Sequence, residues 1–181
     1  MNFETQIEKW VSEDSSRIHA LEIASELKLN DWCLAAGFVR NMVWDKLHDR
    51  HFPTPLNDID LIYFNREESS LETDQDLESI LKTKLNKPWS VKNQARMHLR
   101  NKDASYTSTE DAMSYWVEVE TAIGVRLSPT DGLELVAPFG LSSLFSSTVT
   151  INDKRRKPKE FYERVRSKKW LQTWPKLKIY A

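Results

Sequence analysis

The chain has 181 residues, 40% of them apolar and 29% charged, with seven Trp, five Tyr and seven Phe. That is one domain's worth of sequence with enough apolar material for a packed core, which excludes a disordered chain. Lys and Arg number 26 against 27 Asp and Glu, so no bulk charge draws the molecule to nucleic acid or an anionic membrane, and a single cysteine, Cys33, excludes an intramolecular disulfide and a multi-cysteine zinc site.

The start, Met1-Asn2-Phe3-Glu4-Thr5, carries no basic-then-apolar signal, and no apolar run approaches the roughly 18 residues of a membrane span. A cytoplasmic protein without membrane association is the expectation. Phe3, Ile7, Trp10 and Val11 share one helical face behind an Asn2 cap, and Ile18, Leu21, Ala24 and Leu27 repeat the pattern behind Ser15 and Ser16. The apolar run Trp32-Cys33-Leu34-Ala35-Ala36 then stops at Gly37, and Val39, Met42, Val43 and Leu47 mark a helix to about His48. Pro53 and Pro55 break the chain before Asp58-Ile59-Asp60-Leu61-Ile62-Tyr63-Phe64, a strand with both aspartates on one face.

Thr73 with Asp76 predicts a capping box for a helix carrying Leu77, Ile80, Leu81 and Leu85. From Trp89 to Arg100 residues alternate, with Lys92, Gln94, Arg96 and His98 on the polar side, which predicts a long half-buried strand. Ser108 and Asp111 cap a short helix through Met113 and Trp116, Val117 to Leu127 reads as a strand, and Leu133 to Ala137 returns as a hairpin after the turn Ser128-Pro129-Thr130-Asp131-Gly132. A last helix begins near Pro158, with Phe161, Tyr162 and Val165 inward, followed by Trp170 and Trp174. Helices and strands mix without strict βαβ repetition, so the class is α+β.

Two carboxylates at i and i+2 on a strand lie roughly 6.6 Å apart, close enough to repel and to suit a hard divalent cation such as magnesium. Alternatively, Asp58 and Asp60 end a loop on a solvated edge. A strand, a glycine turn and a helix start leave open backbone N–H groups at Gly37, to which Arg40 and Asn41 in the first turn can add donors for an anion. Lys92, Arg96 and His98 pair across strands with acids, engage substrate phosphates or form an ordinary solvated strand face, and His98 is a candidate general base. Cys33, inside an apolar run, reads as core filler.

Ala36-Gly37-Phe38-Val39-Arg40-Asn41, Pro55-Leu56-Asn57-Asp58-Ile59-Asp60-Leu61-Ile62-Tyr63-Phe64 and Val91-Lys92-Asn93-Gln94-Ala95-Arg96-Met97-His98 resemble the nucleotidyltransferase superfamily built like the palm of DNA polymerase β. Together with Thr121-Ala122-Ile123-Gly124-Val125-Arg126-Leu127 and Ala137-Pro138-Phe139-Gly140-Leu141, they resemble a bacterial branch known as predicted nucleotidyltransferases, over nearly the whole chain. The resemblance implies a mixed sheet backed by helices, magnesium or manganese at Asp58 and Asp60, a nucleoside triphosphate with its phosphates at the Gly37 turn, and nucleotidyl transfer to a hydroxyl of an acceptor, whether small molecule, RNA or protein. The superfamily places Gly-Ser after its first strand where this chain has Gly37-Phe38. It commonly takes a third carboxylate from a later strand; Glu118 and Glu120 share a strand face with Gly124 and Arg126 by period two, and Glu120 is the candidate on that parity.

The domain reading is a nucleotidyltransferase-like domain over 1–153 and a basic segment over 154–181 packed on it. Lys154 to Ala181 holds eleven Lys or Arg and two acids, net +9, leaving 15 minus 25, or −10, before it. Opposite charge and two tryptophans favour docking on the acidic body. The same segment offers another function, RNA binding by phosphate contact and tryptophan stacking. A further alternative is a nucleotide-binding module without turnover.

Overall fold

A computed structural model describes residues 2–128, 130 and 132–181. The predicted turn at 128–132 therefore has Pro129 and Asp131 outside the described residues. Five strands form a mixed sheet: β1 (Cys33–Ala35), β2 (Ile59–Tyr63), β3 (Trp89–Asn93), β4 (Gly124–Leu127) and β5 (Leu133–Val136), in the order β3-β2-β1-β4-β5. β2 and β3 run parallel, and the other neighbours are antiparallel. With helices on the sheet, the architecture is α+β, as the sequence predicts.

Alternation along β2 decides what each face holds. Ile59, Leu61 and Tyr63 point into the main core with Leu34, Val91 and Val125, which α1 (Phe3–Ser12), α2 (Ser15–Ser25) and α3 (Gly37–Leu47) cover. Ile62 points the other way, with Cys33, Ala35 and Val136. Asp60 belongs to this second face, paired in register with Ala35 on one side and Ser90 on the other. Cys33 is fully buried there and burial pushes its thiol well up, so it is core filler, as expected.

Several predicted elements take different bounds, each for a local reason. The second helix is capped by Asp14, whose carboxylate accepts the Ser16 and Arg17 amides, ahead of Ser15 and Ser16 themselves. The helix α4 (Leu71–Lys84) starts before Thr73 because the Ser70 hydroxyl accepts the Thr73 N–H. The long alternating strand ends at Asn93: its side-chain oxygen accepts the Ala95 N–H and opens helix α5 (Gln94–Asn101). The strand expected over Val117 to Leu127 is broken by a single helical turn at Val119–Thr121, and only Gly124–Leu127 joins the sheet. The short helix α6 (Thr109–Met113) is capped by Ser108 as predicted.

The C-terminal segment folds back on α3. After α7 (Ser142–Phe145) come β6 (Thr148–Thr150), α8 (Pro158–Ser167), α9 (Trp170–Thr173) and β7 (Lys178–Tyr180), which pairs with β6 in a second, two-stranded sheet. Trp170 and Trp174 are buried, with rings 5.7 and 5.0 Å from the Trp44 ring on α3, and the Trp174 indole N–H donates to Asp45 at 2.8 Å.

Candidate functional site

Two lobes of one cleft meet over the second face of the sheet. The first, about 440 Å³, is lined by Gly37, Arg40, Asn41, Asp58, Asp60 and Lys168 among others. The second, about 320 Å³, is lined by Lys92, Gln94, Met97, Tyr115, Glu118 and Lys157 among others. Ala36, Asp60, Thr121 and Arg164 line both, so the Asp60 carboxylate stands at the junction.

The first lobe lies at the start of α3. Ala36, not Gly37, takes the turn, with φ 55° and ψ −122°, a conformation that costs a residue with a Cβ about 1–3 kcal/mol. Its own N–H is held by the Ile123 carbonyl at 2.8 Å, and its carbonyl accepts the Val39 and Arg40 amides, so the strain is fixed by surrounding bonds. No side chain caps the helix. The Gly37 and Phe38 amides thus have no protein acceptor among the described residues, and Gly37 lines the lobe, so with the helix dipole the start of α3 forms a seat for an anion.

Asp58 and Asp60 share this lobe. Burial, and then the Asp58 charge beside it, push the Asp60 carboxyl up to about 6, while Ser90 and the Arg40 and Lys168 cations pull it down. Two adjacent carboxylates, one of them destabilised as an anion by burial and by its neighbour, form a set of hard oxygen donors short of positive charge, which fits magnesium or manganese. Among the described residues no group of three His, Cys, Asp or Glu side chains comes together as a complete metal cage. Any ion here would complete its shell with water and substrate oxygens, as magnesium usually does.

The sequence candidates divide. Arg40 is at the cleft but turned inward: its guanidinium lies between the rings of Trp44 and Trp170, 5.0 and 4.7 Å from their centroids, and donates to the Thr121 hydroxyl and to Asn41. Burial lowers it to about 10, which leaves it charged at neutral pH. Lys92 keeps its place in the second lobe. Arg96 does not: because the strand ends at Asn93, Arg96 is helical and pairs with Asp74, a buried carboxylate that also accepts the Tyr63 hydroxyl and the Asn93 N–H. His98, also on α5, is bonded through Nδ1 to the Ala95 carbonyl and stands edge-on to Tyr106, outside the linings of both lobes.

Glu120 is not brought to Asp60. The helical turn at 119–121 cancels the strand parity, and the Glu120 carboxylate accepts from the Thr148 and Thr150 hydroxyls and the Thr150 N–H, all at 2.7–2.8 Å. Burial still holds its carboxyl above the usual range. The acid that does reach the cleft is Glu118, fully buried and joined to Arg164 by bonds of 2.6 and 3.2 Å. Sequence reasoning missed Glu118, Thr121, Arg164 and Lys168. Only Glu118 had a local signal, as the other member of the Glu118/Glu120 pair.

A family model described as Nucleotidyltransferase matches residues 22–179. No curated protein matches the chain. Among solved structures, the chain is similar to a protein whose NMR structure is described as revealing a CCA-adding enzyme head domain, with 32% identity and a TM-score of 0.85 over 97% of this chain and 94% of that one. It is also similar in fold to a CCA-adding enzyme in complex with CTP, at 13% identity and a TM-score of 0.64, over 97% of this chain and 43% of that one. The Thermotoga maritima CCA-adding enzyme complexed with tRNA gives 14% identity and a TM-score of 0.61, over 97% of this chain and 42% of that one. The chain thus spans less than half the length of these two enzymes.

Proposed function

The chain belongs to the nucleotidyltransferase family, and from that premise we propose that it moves a nucleoside monophosphate from a nucleoside triphosphate to a hydroxyl of an acceptor, with magnesium or manganese held by Asp58 and Asp60. The observation that carries this reading is the meeting, in one lobe, of two adjacent carboxylates and the uncapped start of α3. The bound cation would neutralise the carboxylates and the developing phosphate charge. The Gly37 and Phe38 amides seat phosphate oxygens, and Arg40, locked between two tryptophans, fixes the helix start and adds positive field without moving.

In the reaction the acceptor oxygen attacks the α-phosphorus, the bond from that phosphorus to the oxygen bridging to the β-phosphorus breaks, and pyrophosphate leaves. The hydroxyl proton passes to a carboxylate, and Glu118, on the second lobe, is the acid placed to take it. The remaining work is positioning, which suits phosphoryl chemistry. The acceptor enters by the second lobe. tRNA, the partner of one similar enzyme, is the first RNA acceptor to test. Stacking of RNA on the basic segment loses support, since Trp170 and Trp174 are 2% exposed.

Incubation with triphosphates labelled at the α-phosphorus, magnesium, and either tRNA or cell extract tests the reading: an acceptor becomes labelled, and Asp60→Asn abolishes the label. Phe38 in place of serine and the closed Glu118–Arg164 pair favour a second reading, a nucleotide-binding module without turnover. Binding without any labelled acceptor would select it. No described helix is long and apolar enough to cross a membrane; a cytoplasmic location is part of the proposal.

A further inference from the structure

The basic C-terminal segment contributes to the cleft by more than packing. Most of its cations near the body are already occupied: Arg155 pairs with Asp103, Lys157 with Glu160, and Lys176 with Asp49. Lys168, at the C-terminal end of α8, makes no ion pair among the described residues, yet lines the first lobe with Gly37, Asp58 and Asp60. One turn earlier on the same helix, Arg164 lines both lobes and spends its guanidinium on Glu118. Arg40, the cation that the first turn of α3 would otherwise offer, is spent on Thr121, Asn41 and two indole rings.

We infer that α8 supplies the phosphate-binding cations of the site: Lys168 engages the terminal phosphates of the triphosphate over the Gly37 and Phe38 amides, and Arg164 leaves Glu118 for the phosphates when the nucleotide enters. The inference rests on the reading of the first lobe as the triphosphate seat. Three features support it. The lobe is bounded on the α3 side by backbone donors and below by two carboxylates, so without α8 it would hold no mobile cation able to follow a triphosphate. Lys168 is exposed on a flexible stem and needs no existing bond broken to bind. Arg164 is a planar fork whose present carboxylate partner has the geometry that a phosphate would replace.

The test uses the full chain with manganese and a base-independent probe, inorganic tripolyphosphate, titrated calorimetrically beside orthophosphate. Lys168 is exposed and its side chain makes no hydrogen bond or ion pair among the described residues, so Lys168→Ala breaks no such bond of the fold. It is expected to weaken tripolyphosphate roughly tenfold and orthophosphate much less, and Lys168→Arg to restore most of the loss. Arg164→Ala combined with Glu118→Gln, which leaves no buried charge unpaired, is expected to weaken tripolyphosphate by a similar factor. Tripolyphosphate binding by Lys168→Ala and by the double variant that equals wild type would overturn the inference. If Asp60→Asn removes manganese-dependent binding in the same series, the reading of the site survives that result. If wild type binds neither probe with manganese present, inference and reading fall together.

Discussion

Replacing Asp60 by asparagine should stabilise the fold while removing its chemistry. The folded carboxyl sits at about 6 against an ordinary 3.8, chiefly through burial and then through the Asp58 charge. At about 1.4 kcal/mol per pH unit this is a penalty of roughly 3 kcal/mol on the ionised folded state, which the partial exposure of Asp60 to the cleft reduces to about 1–2 kcal/mol. An acid whose folded value lies above its unfolded one is penalised fully above the folded value. The penalty shrinks as pH falls through the interval, and it vanishes below the unfolded value. Asp60→Asn is therefore expected to raise the melting temperature by about 4 °C at pH 7.5 in the presence of a chelator, and to give no gain at about pH 3. Urea unfolding across that range, read by tryptophan fluorescence, measures it. Manganese should then raise the melting temperature of wild type and not of the variant. A gain that is absent at pH 7.5, or equal at both pH values, would refute the idea that the site stores unneutralised charge.

Ala36→Gly relieves the turn at φ 55°; set against the loss of unfolded-state restriction, the net gain in stability is about 1 kcal/mol, measurable by urea denaturation. Gly124→Ala places a methyl 2.5 Å from the Cys33 sulfur, between two sealed strands, and should cost about 3 kcal/mol. Cys33→Ala in the same chain should recover more than 1 kcal/mol of that, a coupling that a double-mutant cycle reads directly. His98→Ala should leave labelled-nucleotide transfer within a factor of about two of wild type, because the ring lies outside both lobes. A large loss would restore it as a general base.

Much of this fold was legible because its signals are local. The Asn2 and Ser108 caps and the apolar run ending at Gly37 appear where short-range pattern places them, and the aspartate-bearing strand does too, except that it begins at Ile59 and leaves Asp58 just ahead of it. The misread stretches are those whose local pattern a short helix or helical turn overrides. Residues 94–99 alternate as a strand would, yet the Asn93 amide, tied to Asn65 and Glu68, turns them into a helix and carries Arg96 and His98 from the site. Likewise one helical turn at 119–121 swaps the roles of Glu118 and Glu120. The contribution of α8 was invisible for a different reason. Arg164 is 46 residues from Glu118 in sequence, and Lys168 reaches the cleft only because Trp170 and Trp174 anchor the segment on Trp44.

The central claim is that Asp58 and Asp60 together hold a divalent cation beneath the phosphates of a nucleotide. Crystals grown with manganese and a non-hydrolysable triphosphate, measured at the manganese absorption edge, test it most directly. The account predicts an anomalous peak between the two carboxylates, with the triphosphate over the Gly37 and Phe38 amides. A nucleotide bound with no peak between them, or a peak held by other residues, would contradict it.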